Sequence, residues 1–141
     1  DEDHKTSENI KKRGAFTLSI ADIAHLKESD FFGIASGNKM PDKFQRTGMH
    51  AVPSTRVDAP VVEEYPVTLE CKAVELQQTA YGFRVLGEIV NVLAEESVLD
   101  EKGRVDPAKL NAFVFDQFQS GYYAIGEKVG QAWKSGMDFM K

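Results

Sequence analysis

The sequence predicts an α+β fold that is mainly β, with antiparallel strands and short helices at its periphery. Its strongest signal is a pair of strand-like segments, VTLECKAVELQQ and FRVLGEIVNVL, which are joined by a turn near Tyr81 and Gly82. The first alternates apolar with polar residues and the second is apolar on both faces. We therefore expect a long antiparallel hairpin whose second strand is central in its sheet. One domain covers residues 1–141, because neither an internal repeat nor a linker divides the chain.

The N-terminal part predicts two short helices around one strand. Thr6 or Ser7 can cap the first helix, and Gly14 ends it. The alternating segment AFTLSI then predicts a strand, and Asp22 can cap a second helix that Gly33 ends. The long stretch that follows is irregular apart from a helical turn at PDKFQRTG. A region of this kind inside a compact domain is usually functional or disordered.

The C-terminal part predicts further short elements. Asp106 followed by Pro107 is typical of a helix start. The segments AFVFDQF and GYYAIG read as strands. We expect a last helix at EKVGQAWKSG, where Val129, Ala132 and Trp133 form an apolar stripe.

Composition limits the class of function. The chain has 17 Lys and Arg against 22 Asp and Glu, a net charge of −5 that argues against broad binding to nucleic acid. Cys71 is the single cysteine, so no intrachain disulfide is expected, and the three histidines have no metal-ligand spacing. Neither a signal peptide nor an apolar run of membrane-spanning length occurs. We therefore expect a cytoplasmic protein without membrane contact.

Several catalytic motifs are absent from the sequence. It has no G-x-G-x-x-G pattern, no P-loop and no G-x-S-x-G elbow. Its carboxylates fall in charged runs that are typical of a solvated surface, and no residue is predicted to act as a catalytic acid or base. Any chemistry would then be supplied by a cofactor.

Three stretches are candidates for ligand binding. In HKTSENI, a helix start with a cation and hydroxyls beside it suits a phosphate, although a capped surface helix explains the same residues. In GIASGNKMPDKF, small residues such as Ser36 allow close approach to a ligand and Lys43 supplies a cation, although a flexible loop is the simpler interpretation. In FVFDQFQSGYY, Phe118 could stand at the edge of a flat ring. Tyr122 and Tyr123 could do so too, although edge-strand packing explains them equally well.

In their order along the chain, these stretches resemble a known family. HKTSENIKKRGAFTLSIAD, DFFGIASGN, DKFQRTG, DAPVVEEYPVTLEC, GEIVNVLAEESVLDEKGRVDPAKL and GYYAIGEKVGQAW are similar to the flavin reductase-like, flavoredoxin-type proteins, which are FMN-binding split β-barrels. The resemblance covers nearly the whole chain, and its specificity lies in the ordered set. It implies a homodimeric split barrel that passes electrons between NAD(P)H, FMN and an acceptor, either a protein or a small molecule.

The resemblance also implies roles for particular residues. His4, Lys5, Thr6 and Ser7 would serve the phosphate or ribityl end of FMN. Lys43 would lie near the isoalloxazine ring, where a cation stabilises negative charge on reduced flavin, and Ser36 is counted among the cofactor-binding residues. Phe118 would flank the ring.

Two departures from the family pattern bear on these expectations. Some relatives place a histidine where this chain has Tyr81 and Gly82, so any role of that histidine is not carried over. Family members also have further strands at the N-terminus. The resemblance places the start of this chain just past such a strand, and we therefore expect an N-terminally truncated domain.

The leading hypothesis is an FMN-dependent oxidoreductase or electron carrier. One alternative is a binding module that keeps the split barrel but has lost flavin chemistry. Another is an interaction protein that uses its dimer surface alone, for which Lys5→Ala and Lys43→Ala would leave function unchanged.

Overall fold

A computed structural model describes residues 4–140. The expectation of an N-terminally truncated domain concerns a part of the chain outside these residues. The helices are α1 (Lys5–Arg13), α2 (Leu26–Ile34), α3 (Lys43–Arg46) and α4 (Pro107–Leu110). The strands are β1 (Ala15–Ile20), β2 (Ala51–Pro53), β3 (Pro60–Val62), β4 (Val67–Thr79), β5 (Gly82–Ala94), β6 (Phe113–Asp116) and β7 (Gly121–Ala124). Single 3-10 turns occupy Ile23–His25, Glu96–Val98 and Met137–Met140. The predicted class, α+β and mainly antiparallel β, is confirmed.

The main sheet is built on the predicted hairpin. Strands β4 and β5 pair antiparallel along 13 residues each, and β1 pairs antiparallel with the other edge of β4, with Leu18 opposite Leu69. The order is β1-β4-β5, so β4 is the central strand and the expectation that β5 is central was wrong for the described residues. Two further antiparallel pairs, β2-β3 and β6-β7, lie outside this sheet.

The first half of β4 is buried on both faces. Val67 and Cys71 are buried, as apolar positions of an alternating strand should be. Thr68 and Glu70, which the alternation assigns to the polar face, are each only 1% exposed. A strand that is covered on both faces does not show the alternation expected of a strand with one solvent-exposed face. Each polar side chain in it needs a hydrogen-bond partner within the protein.

A register shift accompanies this burial. Glu70 pairs with Asn91, whereas Cys71 pairs with Ile89, so Val90 is an extra residue on β5. A β-bulge of this kind increases the local twist and re-aims the side chains beside it.

Local sequence signals account for the helices near the N-terminus. Helix α1 begins at Lys5 with His4 as N-cap, two or three residues before the predicted caps Thr6 or Ser7. It ends as predicted at Gly14, whose φ of 65° suits glycine. The side chain of Asp22 accepts a hydrogen bond from the backbone of His25 and caps the 3-10 turn that precedes α2.

The predicted last helix is absent from the structure. Residues 125–136 form turns and irregular chain, and Trp133 has a positive φ of 61°. The side chains of Val129 and Trp133 are almost fully exposed, so their apolar stripe packs against nothing in the described chain. A short helix is marginal without such packing, and glycines at 126, 130 and 136 weaken it further. None of the helices in residues 4–140 is long and apolar enough to cross a membrane.

Candidate functional site

A cavity of about 430 Å³ lies between the start of α1 and the chain that joins α2 to α3. We call it the helix-start cavity. It is lined by His4, Lys5, Thr6, Asn9, Phe32, Gly33, Ile34, Ala35, Ser36, Gly37, Pro41, Lys43 and Phe44. Five of the seven predicted site residues are in this lining, namely His4, Lys5, Thr6, Ser36 and Lys43. The fold therefore brings together two candidate stretches that are distant in sequence, residues 4–10 and 33–44.

The start of α1 presents donors and a cation to this cavity. The backbone at His4 is extended, and its carbonyl accepts hydrogen bonds from the amides of Ser7 at 2.9 Å and Glu8 at 3.3 Å. The His4 side chain makes no capping hydrogen bond. Lys5 Nζ lies 2.7 Å from Glu8 Oε2 in a half-exposed ion pair. A helix N-terminus beside a cation is a favourable environment for an anion.

Lys43 is held by carbonyl groups at the end of α2. Its Nζ donates hydrogen bonds to the carbonyl oxygens of Phe32 at 3.1 Å and Ala35 at 2.8 Å. Carbonyls at a helix C-terminus lack helical partners and attract a cation. An ammonium group has three donors, so these two bonds leave one N–H for another acceptor.

Gly37 lies against the side chains of both Lys5 and Lys43. A Cβ at this position would lie 3.1 Å from Cβ of Lys5 and 3.8 Å from Cε of Lys43. Aromatic rings complete this wall, because Phe32 and Phe44 stack with centroids 5.9 Å apart. The cavity therefore combines cations with a flat apolar surface.

The remaining two predicted residues are not brought to the cavity. Ser7 is on α1 but does not belong to the lining. Phe118 lies in the turn between β6 and β7 and is fully exposed. The carboxylate of Asp116 accepts hydrogen bonds from the amides of Phe118 and Gln119 and fixes this turn. Phe118 therefore has no described contact with the helix-start cavity.

A second cavity, of about 650 Å³, lies on the other side of α1. We call it the strand-side cavity. It is lined by Thr6, Asn9, Arg13, Ala15, Phe16, Thr17, Ala51, Val52, Pro53, Ser54, Val57, Asp58, Ala59 and Pro60. Thr6 and Asn9 belong to the walls of both cavities, so α1 separates two adjacent spaces.

An arginine and an aspartate meet at the strand-side cavity. Arg13 Nη1 lies 2.7 Å from Oδ1 and 2.8 Å from Oδ2 of Asp58. This hydrogen bond and the charge of Asp58 raise the pKa of the Arg13 guanidinium above its ordinary value. Both side chains are more than half exposed, so solvent screens the attraction.

A buried carboxylate supports the loop that forms one wall of the strand-side cavity. Glu70 accepts hydrogen bonds from Ser54 Oγ and, at 2.6 Å, from Asn91 Nδ2. These bonds, led by the one from Ser54, lower the pKa of Glu70 although burial opposes them. Ser54 Oγ in turn accepts hydrogen bonds from the amides of Arg56 at 2.9 Å and Val57 at 3.0 Å.

Sequence reasoning missed Arg13, Asp58 and Glu70. A weak signal for Glu70 exists, because a carboxylate inside one apolar strand and Asn91 inside the next are each unusual for a covered sheet. Arg13 and Asp58 are 45 residues apart, and no pattern joins them. Within residues 4–140 no group of His, Cys, Asp or Glu is arranged to hold a metal ion.

Comparisons with solved structures identify the fold. Flavoredoxin of Desulfovibrio vulgaris (Miyazaki F) superposes with a TM-score of 0.88 and 36% identity, over 96% of this chain and 72% of that one. Flavoredoxin from Methanosarcina acetivorans superposes with a TM-score of 0.91 and 26% identity, over 99% of this chain and 73% of that one.

The sequence of this chain leads to the same family. An uncharacterized protein of Deinococcus radiodurans is 34% identical over 110 residues, which are 73% of this chain and 46% of that protein. The chain spans about half the length of the relatives that it matches by sequence. The profile of the flavin reductase like domain matches residues 1–120, and the chain belongs to that family. The resemblance seen in the sequence is thereby confirmed.

Proposed function

We propose that this chain binds FMN in the helix-start cavity and acts as an oxidoreductase or electron carrier. In this proposal electrons pass between NAD(P)H, FMN and an acceptor that is a protein or a small molecule. The single observation that carries it is the gathering of Lys5, Thr6 and Lys43 around one cavity in a flavin reductase-like fold. The similarity to two flavoredoxins supports the redox class.

The residues around the cavity fit the chemical parts of FMN. Its volume of about 430 Å³ falls in the range of about 300–1,000 Å³ that ligand pockets occupy. The start of α1, with Lys5 and the hydroxyl of Thr6, would hold the dianionic phosphate. The stacked rings of Phe32 and Phe44 offer apolar surface to the remainder of the cofactor.

Lys43 would influence the redox chemistry that the flavin supplies. Bound FMN takes up a hydride or single electrons and releases them again. The N–H of Lys43 that is not bonded to α2 would donate to a flavin atom that gains negative charge on reduction. A cation held in this way favours the reduced form, and two carbonyl bonds keep it from moving away.

The proposal includes a homodimer in the cytoplasm. Strands β4 and β5 expose apolar side chains, among them Val74, Ile89 and Val92, and such surfaces commonly mark interfaces. The net charge of −5 supports a partner other than nucleic acid.

The test is a visible absorption spectrum of the purified chain, recorded after FMN is added and the sample is desalted. We expect retained flavin bands and a saturable titration. Thr6→Ala should weaken FMN binding by about 1.5–3 kcal/mol, the value of a hydrogen bond to a charged group. Ser97→Ala is the matched control, because Ser97 is an exposed hydroxyl outside both cavities.

The outcomes separate the hypotheses. Binding that is weakened by Thr6→Ala and not by Ser97→Ala supports an FMN site in the helix-start cavity. A folded chain that never retains or titrates FMN contradicts the proposal and favours the binding module without flavin. Equal affinities of the parent and Thr6→Ala would remove Thr6 from the site.

A further inference from the structure

The last part of the described chain, residues 126–140, is exposed at every residue. We call it the C-terminal arm. Just before it, the amide of Ile125 donates to the carbonyl of Ala112 at 3.5 Å. The backbone hydrogen bonds described within the arm join its own residues, as from the amide of Ser135 to the carbonyl of Gln131 at 3.0 Å. These bonds give the arm local turns and do not tie its backbone to the main sheet.

The arm carries a group of apolar side chains that a monomer would leave in water. Val129, Trp133, Phe139 and Met140 are each at least 85% exposed, and Met137 is more than half exposed. A single exposed apolar residue is normal, whereas a group of them marks a site of interaction. An aromatic side chain alone can bury about 150–250 Å², so the arm offers on the order of 700 Å² for burial.

The conformation of the arm in the described chain is unfavourable at Trp133. Its φ of 61° lies in the left-handed region, which is rare for a bulky side chain. The spacing of Val129, Ala132 and Trp133 is that of one face of a helix. A helix of this length is marginal in water and becomes stable when its apolar face is covered. A surface that receives this stripe would therefore allow the arm to leave its present conformation.

A surface of this kind lies on one face of the main sheet. Residues that are paired across antiparallel strands point to the same face. On this face two apolar rows cross β1, β4 and β5, namely Leu18, Leu69 and Val92, and Phe16, Cys71 and Ile89. We call it the sheet face. Its outer members Leu18, Ile89 and Val92 are each about half exposed, so the described chain leaves part of the sheet face open.

We propose that two copies of this chain exchange their C-terminal arms, and that the apolar stripe of each arm packs on the sheet face of the other copy. One chain supplies both surfaces, and a two-fold arrangement pairs each of them with its complement. Two arms together offer on the order of 1,400 Å², and a standard stable interface buries about 1,200–2,000 Å². This inference rests on the homodimer of the proposed function and names the segment that forms it.

Trp133 is the single tryptophan of the chain, so its fluorescence reports on the arm directly. It is exposed in the described chain, so a monomer should emit at long wavelength and be quenched by acrylamide. The test is the tryptophan emission of the flavin-free full chain over a range of concentrations, with sedimentation velocity on the same samples. We expect the emission to move to shorter wavelength, and the quenching to fall, where monomer becomes dimer.

Two glutamate variants on β5 locate the receiving surface. Ile89→Glu places a charge on the sheet face, so it should raise the dimer Kd about tenfold or more and return Trp133 to the emission of an exposed ring. Leu86→Glu is the matched control, because Leu86 is also half exposed. It points to the opposite face, since the neighbouring Gly87 lies against Phe16 on the sheet face. Leu86→Glu should change neither the Kd nor the emission. Circular dichroism spectra that match the parent's would show that both variants are folded.

Mixing two variants shows whether the arm binds its own chain or the other copy. Trp133→Asp has a disrupted arm and no tryptophan, but its sheet face is intact. Ile89→Glu has a disrupted sheet face, but its arm and its tryptophan are intact. Neither variant should dimerise by itself. A mixture at high concentration should regain the emission at shorter wavelength, because the intact arm of one variant finds the intact face of the other.

Failure of this inference is distinguishable from failure of the proposed function. A dimer in which Trp133 stays exposed, or one that Ile89→Glu leaves intact, overturns the arm exchange, and the homodimer then uses another surface. Shifted emission from a monomer, or a mixture without recovery, also overturns it, because the arm would then pack on its own chain. A chain that stays monomeric contradicts both the exchange and the proposed homodimer. Retention of FMN by the same proteins tests the flavin assignment separately.

Discussion

Replacing Ser54 with alanine should destabilise the fold through the buried carboxylate of Glu70. Ser54 Oγ is one of the two described donors to that carboxylate, and Asn91 is the other. A hydrogen bond to a charged group is worth about 1.5–3 kcal/mol. The amides of Arg56 and Val57 also lose their acceptor; Arg56 is exposed and Val57 is only half-buried, so water can replace it. We therefore expect the free energy of unfolding to fall by about 2–3 kcal/mol.

The assay is thermal and urea unfolding at pH 7. For 141 residues the unfolding entropy is about 0.3 kcal/mol/K, so the midpoint temperature should drop by about 8 °C. Ser97→Ala is the matched control, because Ser97 Oγ donates to the exposed carboxylate of Glu95 at 3.1 Å. The free energy of unfolding of Ser97→Ala should lie less than about 0.5 kcal/mol below that of the parent.

The parent and the Ser54→Ala variant also test whether the charge of Glu70 stabilises the fold. Its pKa is lowered in the folded state, so its stabilising effect is present above the pKa of an unfolded glutamate, about 4.3, and is lost as the pH falls through the folded pKa. The difference between the parent and Ser54→Ala should therefore shrink in unfolding measurements taken from pH 7 down to pH 3.5. A penalty no larger than that of Ser97→Ala, or one that is independent of pH, would refute the reasoning.

Three further predictions concern the cavity lysine, a tight strand contact and the buried thiol. Lys43→Met should lower the midpoint potential of bound FMN in spectroelectrochemical titration, and Lys39→Met, outside the cavity, should not. Equal potentials of the parent and Lys43→Met would contradict a role of Lys43 at the flavin ring. Gly87→Ala should cost about 1–3 kcal/mol in urea unfolding, because its Cβ would lie 2.5 Å from Cζ of Phe16, and an unchanged midpoint would show that the ring moves freely. Burial raises the pKa of the Cys71 thiol, so iodoacetamide should label it slowly in native protein and rapidly in urea; equal rates would show that the thiol is open to solvent.

Short-range patterns predicted much of the fold. The hairpin, strand β1 and the glycine stop at Gly14 each depend on neighbours in sequence, and each was found. The order of strands in the sheet depends on which edge of β4 meets β1, which alternation does not encode. The burial of Glu70 arises because both faces of β4 are covered there, a property of the tertiary structure.

Part of the candidate site could be predicted from the sequence and part could not, for a similar reason. The residues at the start of α1 and Lys43 were assigned through an ordered resemblance, and the fold gathers them around one cavity. Arg13 reads in sequence only as a basic residue near a helix C-terminus. Its pairing with Asp58 requires β2 and β3 to bring a distant loop back to α1. Phe118 stays a prediction, because it lies in the β6–β7 turn away from the described cavities.

The position of α1 between two cavities means that a ligand in either one would touch part of the wall of the other. A ligand that shifts Thr6 or Asn9 in one wall shifts the wall of the other cavity as well. Linkage requires that the factor by which FMN changes the affinity of any ligand in the strand-side cavity equals the factor by which that ligand changes the FMN affinity. Thr6 and Asn9, which line both cavities, are the positions where a single substitution would alter that shared factor. Retention of FMN would then depend on whether the strand-side cavity is occupied.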